Sequence, residues 1–153
     1  MRIFSIDPGN EQSAYSILDE NLKPLQFGKI DNDQLLNIIK EFYFLVDDYF
    51  AIEMVACYGL SVGKTVFETV FWIGRFWEAC QCENKTKIYR KDVKMNLCGS
   101  MKAKDANIRQ ALIDRFGEVG TIKNKGWFFG FKSDIWSSFA VGVTFFDTNI
   151  KEN

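Results

Sequence analysis

The sequence contains no histidine. That removes the commonest general base, and with it the Ser-His-Asp and Cys-His nucleophile systems. Its 153 residues include only two prolines and four cysteines. Cys57, Cys80, Cys82 and Cys98 follow no zinc-ligand spacing, and Cys80 and Cys82 stand too close for a usual pair, so all four read as reduced thiols. No apolar run approaches the ~18 residues that a membrane span needs. The start, MRIFSIDPGN, lacks the apolar core and cleavage site of a signal peptide. Internal repeats, low-complexity tracts and linkers long enough to divide domains are also missing. The expectation is one cytoplasmic domain over residues 1–153, without a membrane partner or a small-molecule cofactor.

Aromatic side chains are plentiful, at 16% of a chain that is 47% hydrophobic, which is ample material for a core. The formal net charge of −1 conceals a segregation. Residues 1–84 carry a net −7, residues 85–132 a net +8, and residues 133–153 a net −2. A basic run of that length in an otherwise acidic chain points to a polyanion-facing surface.

Periodicity and turn signals give the order of elements. RIFSID (2–7) is short and β-prone and stops at Pro8-Gly9; SAYSIL (13–18) and LQFGKI (25–30) continue it as an antiparallel meander. Asn32 or Asp33 can cap a helix running to about Leu45. DYFAIEMVA (48–56) reads as a buried strand, and its helical crossover makes it parallel to the first. Residues 61–82 read as a long helix that is apolar on most of its circumference, so it is covered on more than one side, and a second subunit is a candidate cover. TKIYR (86–90) is a fifth strand. Helices follow at about 92–97, 104–117 and 133–146, with a loop at 118–132. The plan is α/β: a mixed five-stranded sheet, three antiparallel strands then parallel crossover strands, with helices on both faces.

Three acids stand out in this plan. Asp7 ends the first strand, Glu53 lies inside the apolar fourth strand, and Asp134 opens the last helix. Each has a plainer reading when taken singly: turn chemistry for Asp7, an ion pair for Glu53, a dipole-favoured helix acid for Asp134. Adjacent parallel strands, however, bring Asp7 and Glu53 together, and two carboxylates at one site repel unless a cation joins them. Oxygen-only ligands suit Mg²⁺, with Mn²⁺ as a substitute. A pair of such ions ~3.5–4 Å apart is a recurring device for phosphodiester hydrolysis and needs no histidine.

At these positions the sequence resembles the RuvC-type Holliday junction resolvases of the ribonuclease H-like superfamily. IDPGNEQSAYSIL is similar to their first motif, and AIEMV to their glutamate-bearing strand. KDVKMNLCGSMKAKDANIRQAL is similar to the segment that carries two lysines around a glycine-containing turn, and SDIWSSFAVGV to the final acid-plus-helix motif. The resemblance covers most of the chain in order. It implies a ribonuclease H-like sheet, with Asp7, Glu53 and Asp134 as metal ligands and catalytic residues. Lys94 and Lys104 would lie near the scissile phosphate, Lys104 among the catalytic residues. A homodimer would form through the helix at 61–82.

Two departures accompany it. Phe131 stands where the family usually carries a further Asp or His, which implies a second ion held less tightly. Asp147 or Glu78 could stand in, although Asp147 lies ~20 Å along the same helix from Asp134. Ala56 stands where the family carries a base-stacking aromatic, and Tyr58 is two residues on.

The expected substrate is branched DNA, four-way junctions first. Phosphate contacts are expected from Lys85, Lys87, Arg90, Lys91, Lys94, Lys102, Lys104, Arg109, Lys123, Lys125 and Lys132, with Tyr58 as a stacking wedge. The reading is a Mg²⁺-dependent, structure-selective DNA endonuclease of compact, phage-like type. One rival is a branched-DNA-binding protein with the same fold but no catalysis. The other is an actin-like phosphotransferase, disfavoured because the later glycine-rich phosphate loops are missing.

Overall fold

The computed structural model describes residues 1–151; the last two residues of the expected domain lie outside them. Five strands form one sheet in the order β3-β2-β1-β4-β5. β1 (Ile3–Asp7), β2 (Gln12–Leu18) and β3 (Pro24–Asp31) pair antiparallel, and β4 (Tyr49–Met54) and β5 (Asn84–Tyr89) add in parallel. One face carries α1 (Asn32–Glu41) and α2 (Lys64–Ala79). The other carries α3 (Arg90–Cys98), α4 (Asp105–Phe116) and α5 (Ile135–Asn149). Among the described residues, no helix is long and apolar enough to cross a membrane.

Period-two alternation sorts the strand residues between two cores. Phe4, Ile6, Phe50 and Ile52 bury against Leu35, Ile39, Ile73 and Phe76 of α1 and α2. Ile3, Ala51 and Ile88 bury against the α5 side with Phe139, Val143 and Phe145. α5 crosses the sheet closely at Gly142, where a Cβ would come within 2.8 Å of the Ser5 hydroxyl and 2.7 Å of Leu18. At that crossing the Ser16 and Ser138 hydroxyls share a hydrogen bond of 2.8 Å, and Ser5 donates to the Ser16 carbonyl at 3.1 Å. These contacts hold α5 close against β1 and β2.

Several boundaries differ from the sequence expectation. α1 stops at Glu41 instead of running to Leu45. Phe42 and Phe44 turn inward to ring Phe4, at 5.3 and 6.1 Å, and the Asp48 carboxylate accepts the Leu45 amide at 2.8 Å. Burying those rings outweighs another helical turn. Neither Asn32 nor Asp33 caps α1: Asp31 is the cap residue, and Asn32 is buried. The Asn32 amide donates to the Gly9 carbonyl at 2.9 Å and its carbonyl accepts from Ser13 at 2.6 Å, tying down the turn after β1. α2 is shorter than 61–82 at both ends, because Gly63 is extended and the Lys85 ammonium binds the Trp77 and Cys80 carbonyls at its C-terminus.

Candidate active site

The site grows from the C-terminal ends of the two central strands. β1 and β4 run parallel with Ile6 opposite Ile52, so Asp7 and Glu53 follow as the next residues on neighbouring strands. Both share the α5 face with Ser5 and Ala51. Asp7 lies opposite Ala14, and Ala14 lies opposite Lys29, so a line across three strands joins the acid to a lysine. Above it, Ser133 adopts φ +46°, an uncommon conformation for a non-glycine residue, and turns the chain into α5 with Asp134 as the N-cap residue.

The electrostatics are uneven. Burial, then the nearby Glu53 and Asp134 carboxylates, push the Asp7 carboxyl up to about 8, with Arg90 and Lys29 pulling the other way. Burial also raises the Glu53 carboxyl, with Arg90 opposing and Asp105 and Asp134 adding to the rise. Glu53 Oε2 is buried without a hydrogen bond, 3.7 Å from the Arg90 guanidinium. Arg90 also pairs with Asp105. The Asp134 carboxylate is held by Lys29, Nζ to Oδ2 2.5 Å.

These features fit a hard divalent cation. Two largely buried carboxylates on adjacent strands, one with an unbonded oxygen and both raised by burial, form an all-oxygen donor set in which Arg90 and Lys29 only partly offset the cost of ionising both. As arranged, no three His, Cys, Asp or Glu residues among the described ones are gathered tightly enough to enclose an ion. Asp134 is turned onto Lys29, and Glu53 faces Arg90.

The residues proposed as substitutes are engaged or distant. Asp147 binds Arg115 at 2.6 and 2.8 Å and Asn96 at 2.9 Å, and Glu78 lines a hollow beside α1 and α2 on the far face. Phe131 is part of the core. Its ring lies 4.5 Å from Phe27, 5.2 Å from Phe128 and Trp136, and 5.6 Å from Phe139.

The basic residues divide. Arg90 and Arg109 line a cleft of about 330 Å³ with Asp105, Asp134 and Trp136, directly beside the acids. Arg109 stacks its guanidinium 4.7 Å from the Trp136 ring. Lys94 lies close enough to Glu53 to lower its carboxyl. Lys104 is the N-cap residue of α4, its amide bonded to Asn107 at 2.9 Å, and Lys102 lies in the turn before it. Lys123 and Lys132 are exposed in the loop leading to Asp134, and Lys125 rests 5.1 Å from the Phe129 ring. Lys91 lies 5.9 Å from the Tyr89 ring.

Lys85 and Lys87 lie opposite Phe50 and Ile52, on the α2 side of the sheet away from the acids, both against Trp77. Tyr58 is 67% exposed on the loop between β4 and α2, with φ +45°. Sequence reasoning passed over Lys29. The signal was available, since pairing the three strands of the meander puts Lys29 in line with Asp7.

No protein-family model and no curated protein sequence matches the chain. Solved structures do. RuvC of Thermus thermophilus superposes with a TM-score of 0.67 at 13% identity, over 96% of this chain and 95% of that one. The chain has the RuvC fold. The same Thermus protein in complex with Holliday junction substrate matches equally, with a TM-score of 0.67 at 12% identity over 96% of this chain and 94% of that one. A fowlpox virus Holliday junction resolvase aligns at 14% identity over 97% and 99% of the two chains, with a TM-score of 0.48. The RuvC fold is a ribonuclease H-like sheet, and the mixed five-stranded order seen here agrees with it.

Proposed function

We propose that this protein is a divalent-metal-dependent endonuclease that nicks branched DNA, four-way junctions first, with Asp7, Glu53 and Asp134 holding Mg²⁺ or Mn²⁺. One observation carries the reading: two largely buried carboxylates stand together at the C-terminal ends of adjacent parallel strands, both raised by burial, with a Glu53 oxygen that accepts no hydrogen bond and has Arg90 at 3.7 Å. The RuvC fold and the junction-bound Thermus relative support the choice of substrate. When bound, the divalent cation supplies Lewis acidity at the scissile phosphate and its attacking water. The chain's own residues do the rest. Arg90 and Arg109 line the approach and neutralise phosphates, with Lys94 close to Glu53; Lys104 and the loop lysines Lys123, Lys125 and Lys132 extend that surface, and Tyr58 projects as a stacking wedge.

A two-fold dimer through α2 would place two such sites on one junction. Phe67, Val70 and Phe71 support it, since they leave an apolar stripe exposed on the outer side of that helix.

The non-catalytic reading draws on the same geometry, because Lys29 already holds Asp134. A junction-cleavage assay in Mg²⁺ or Mn²⁺ separates the two. Cutting by the wild type, lost in Asp7→Asn while junction binding persists, is the expected result. Binding without cutting in either metal would leave a junction-binding protein.

A further inference from the structure

Lys29 and Phe27 stand two residues apart on β3 and face the same side of the sheet. Phe27 packs on Phe131, and Lys29 pairs with Asp134, so two neighbours on one strand meet two positions of the segment that enters α5. The lysine reaches from an edge strand two strand spacings, ~10 Å, from β1. Its side chain is one-third exposed, yet its ammonium sits 2.5 Å from the Asp134 carboxylate. Phe131, three residues before Asp134, packs with Phe27 and Phe128 and offers no oxygen ligand.

On the other flank, Arg90 lies beside Glu53. Arg90 is shared between Glu53 and Asp105, whereas Lys29 is committed to Asp134.

We infer that Lys29 is the second cation of this site: its ammonium, seated on Asp134, takes the role of a second ion, and each protomer takes a single divalent ion. The inference rests on the metal-dependent reading above. Lys29 is then a fixed positive charge beside the phosphate, preorganised by Asp134, and works without a fourth carboxylate. It also gives Phe131 a place in the design, since the ring that excludes a ligand also walls in the lysine pair.

Counting Mn²⁺ ions by titration calorimetry, on the full chain with and without uncut four-way junction DNA, tests this. The wild type should bind one ion per protomer. Lys29→Glu, which replaces the cation by a carboxylate, should bind two, and its melting temperature should become more dependent on Mn²⁺. Lys29→Met should keep one ion and lose cutting by roughly 100-fold, the scale seen when a preorganised donor is removed, with Lys29→Arg recovering part of it. Far-ultraviolet circular dichroism on each variant checks that it is folded. Two ions in the wild type, or cutting by Lys29→Met at the wild-type rate, overturns the inference while leaving the nuclease reading intact. One ion in the wild type and two in Lys29→Glu, without cutting, keeps the inference and removes the nuclease. No bound Mn²⁺ overturns both.

Discussion

Asp48 lies at the entrance to β4 and Glu53 near its exit. Both are acids in an apolar setting, and their surroundings are opposite. The Asp48 side chain is 1% exposed and saturated with donors. It accepts the Arg2 amide at 2.7 Å, the Arg2 guanidinium at 3.1 and 2.5 Å, and the Leu45 amide at 2.8 Å. Burial alone would raise its carboxyl, but those bonds more than offset it and hold it below the ordinary range. Glu53 keeps a buried oxygen without a hydrogen bond, and its carboxyl is raised, like that of Asp7. A buried charge is tolerated when donors surround it and is costly when they do not. One end of the strand therefore uses its acid to hold the fold together. The other leaves its acids short of donors, which is what the proposed metal site calls for.

The sharpest way to break this contrast is to bury a new acid with neither donors nor cation. Phe131→Asp puts a carboxylate among Phe27, Phe128, Trp136 and Phe139. Losing the ring costs about 3–5 kcal/mol, and the unpaired charge adds to it. Urea denaturation should show a protein that is largely unfolded in buffer. A stable variant that gains a bound ion would mean the aromatic wall is dispensable.

Next in size is Asp48→Ala, which strands Arg2 and two amides and should cost about 3–5 kcal/mol with or without divalent metal. The folded pKa of Asp48 lies below its unfolded value near 3.8. Its contribution is therefore present above that value and is lost as pH falls through the folded one. The variant should accordingly be less stable than wild type at neutral pH, with the gap closing in acid.

Asp7→Asn should act with the opposite sign. Because the Asp7 carboxyl is raised to about 8, the folded protein holds a proton that the unfolded chain releases near 3.8. Stability in chelator should fall as pH rises through that window. Asp7→Asn should flatten the slope and raise the melting temperature at pH 8 by several degrees, an effect of order ~2 kcal/mol given about 1.4 kcal/mol per pKa unit and partial relaxation of the site. Mn²⁺ should stabilise the wild type and not the variant. A variant less stable than wild type at pH 8 in chelator would place Asp7 with Asp48 among the structural acids.

Much of this arrangement was legible before any coordinates. The crossover rule made β4 parallel to β1, and that alone set Asp7 beside Glu53. The end of α1 was not legible, because it depends on Phe42 and Phe44 finding Phe4 and on Asp48 taking the Leu45 amide, contacts made across the fold. Lys29 was hidden for a related reason. Its meaning lies in the register of three strands, and its local sequence is an ordinary edge strand. Lys85 and Lys87 could have been sorted by alternation, since Ile88 faces α5 and residues one and three positions before it must face away. Counting charge along the chain assigned the lysines of β5 to the same surface as the cations that follow them, whereas a strand divides its neighbours between two faces.

That division gives the mildest test, with cations in place of acids. Lys85 is a satisfied cation: its ammonium donates to two carbonyls at the C-terminus of α2, on the face away from Asp7. Arg109 is an available one, exposed on α4 and lining the cleft beside Asp134 with its guanidinium over the Trp136 ring. Lys85→Ala should cost about 0.3–1 kcal/mol of stability through the helix terminus, with junction affinity and its salt dependence unchanged. Arg109→Ala should leave the urea midpoint nearly unmoved but weaken junction binding and lower the slope of log K against log salt by about one, as removal of a single phosphate contact does. Binding isotherms at several salt concentrations read both. If Lys85→Ala lowers the salt slope as much as Arg109→Ala, DNA wraps past the edge strand β5 onto the α2 face, and the division of the two faces into structural and functional fails for the cations.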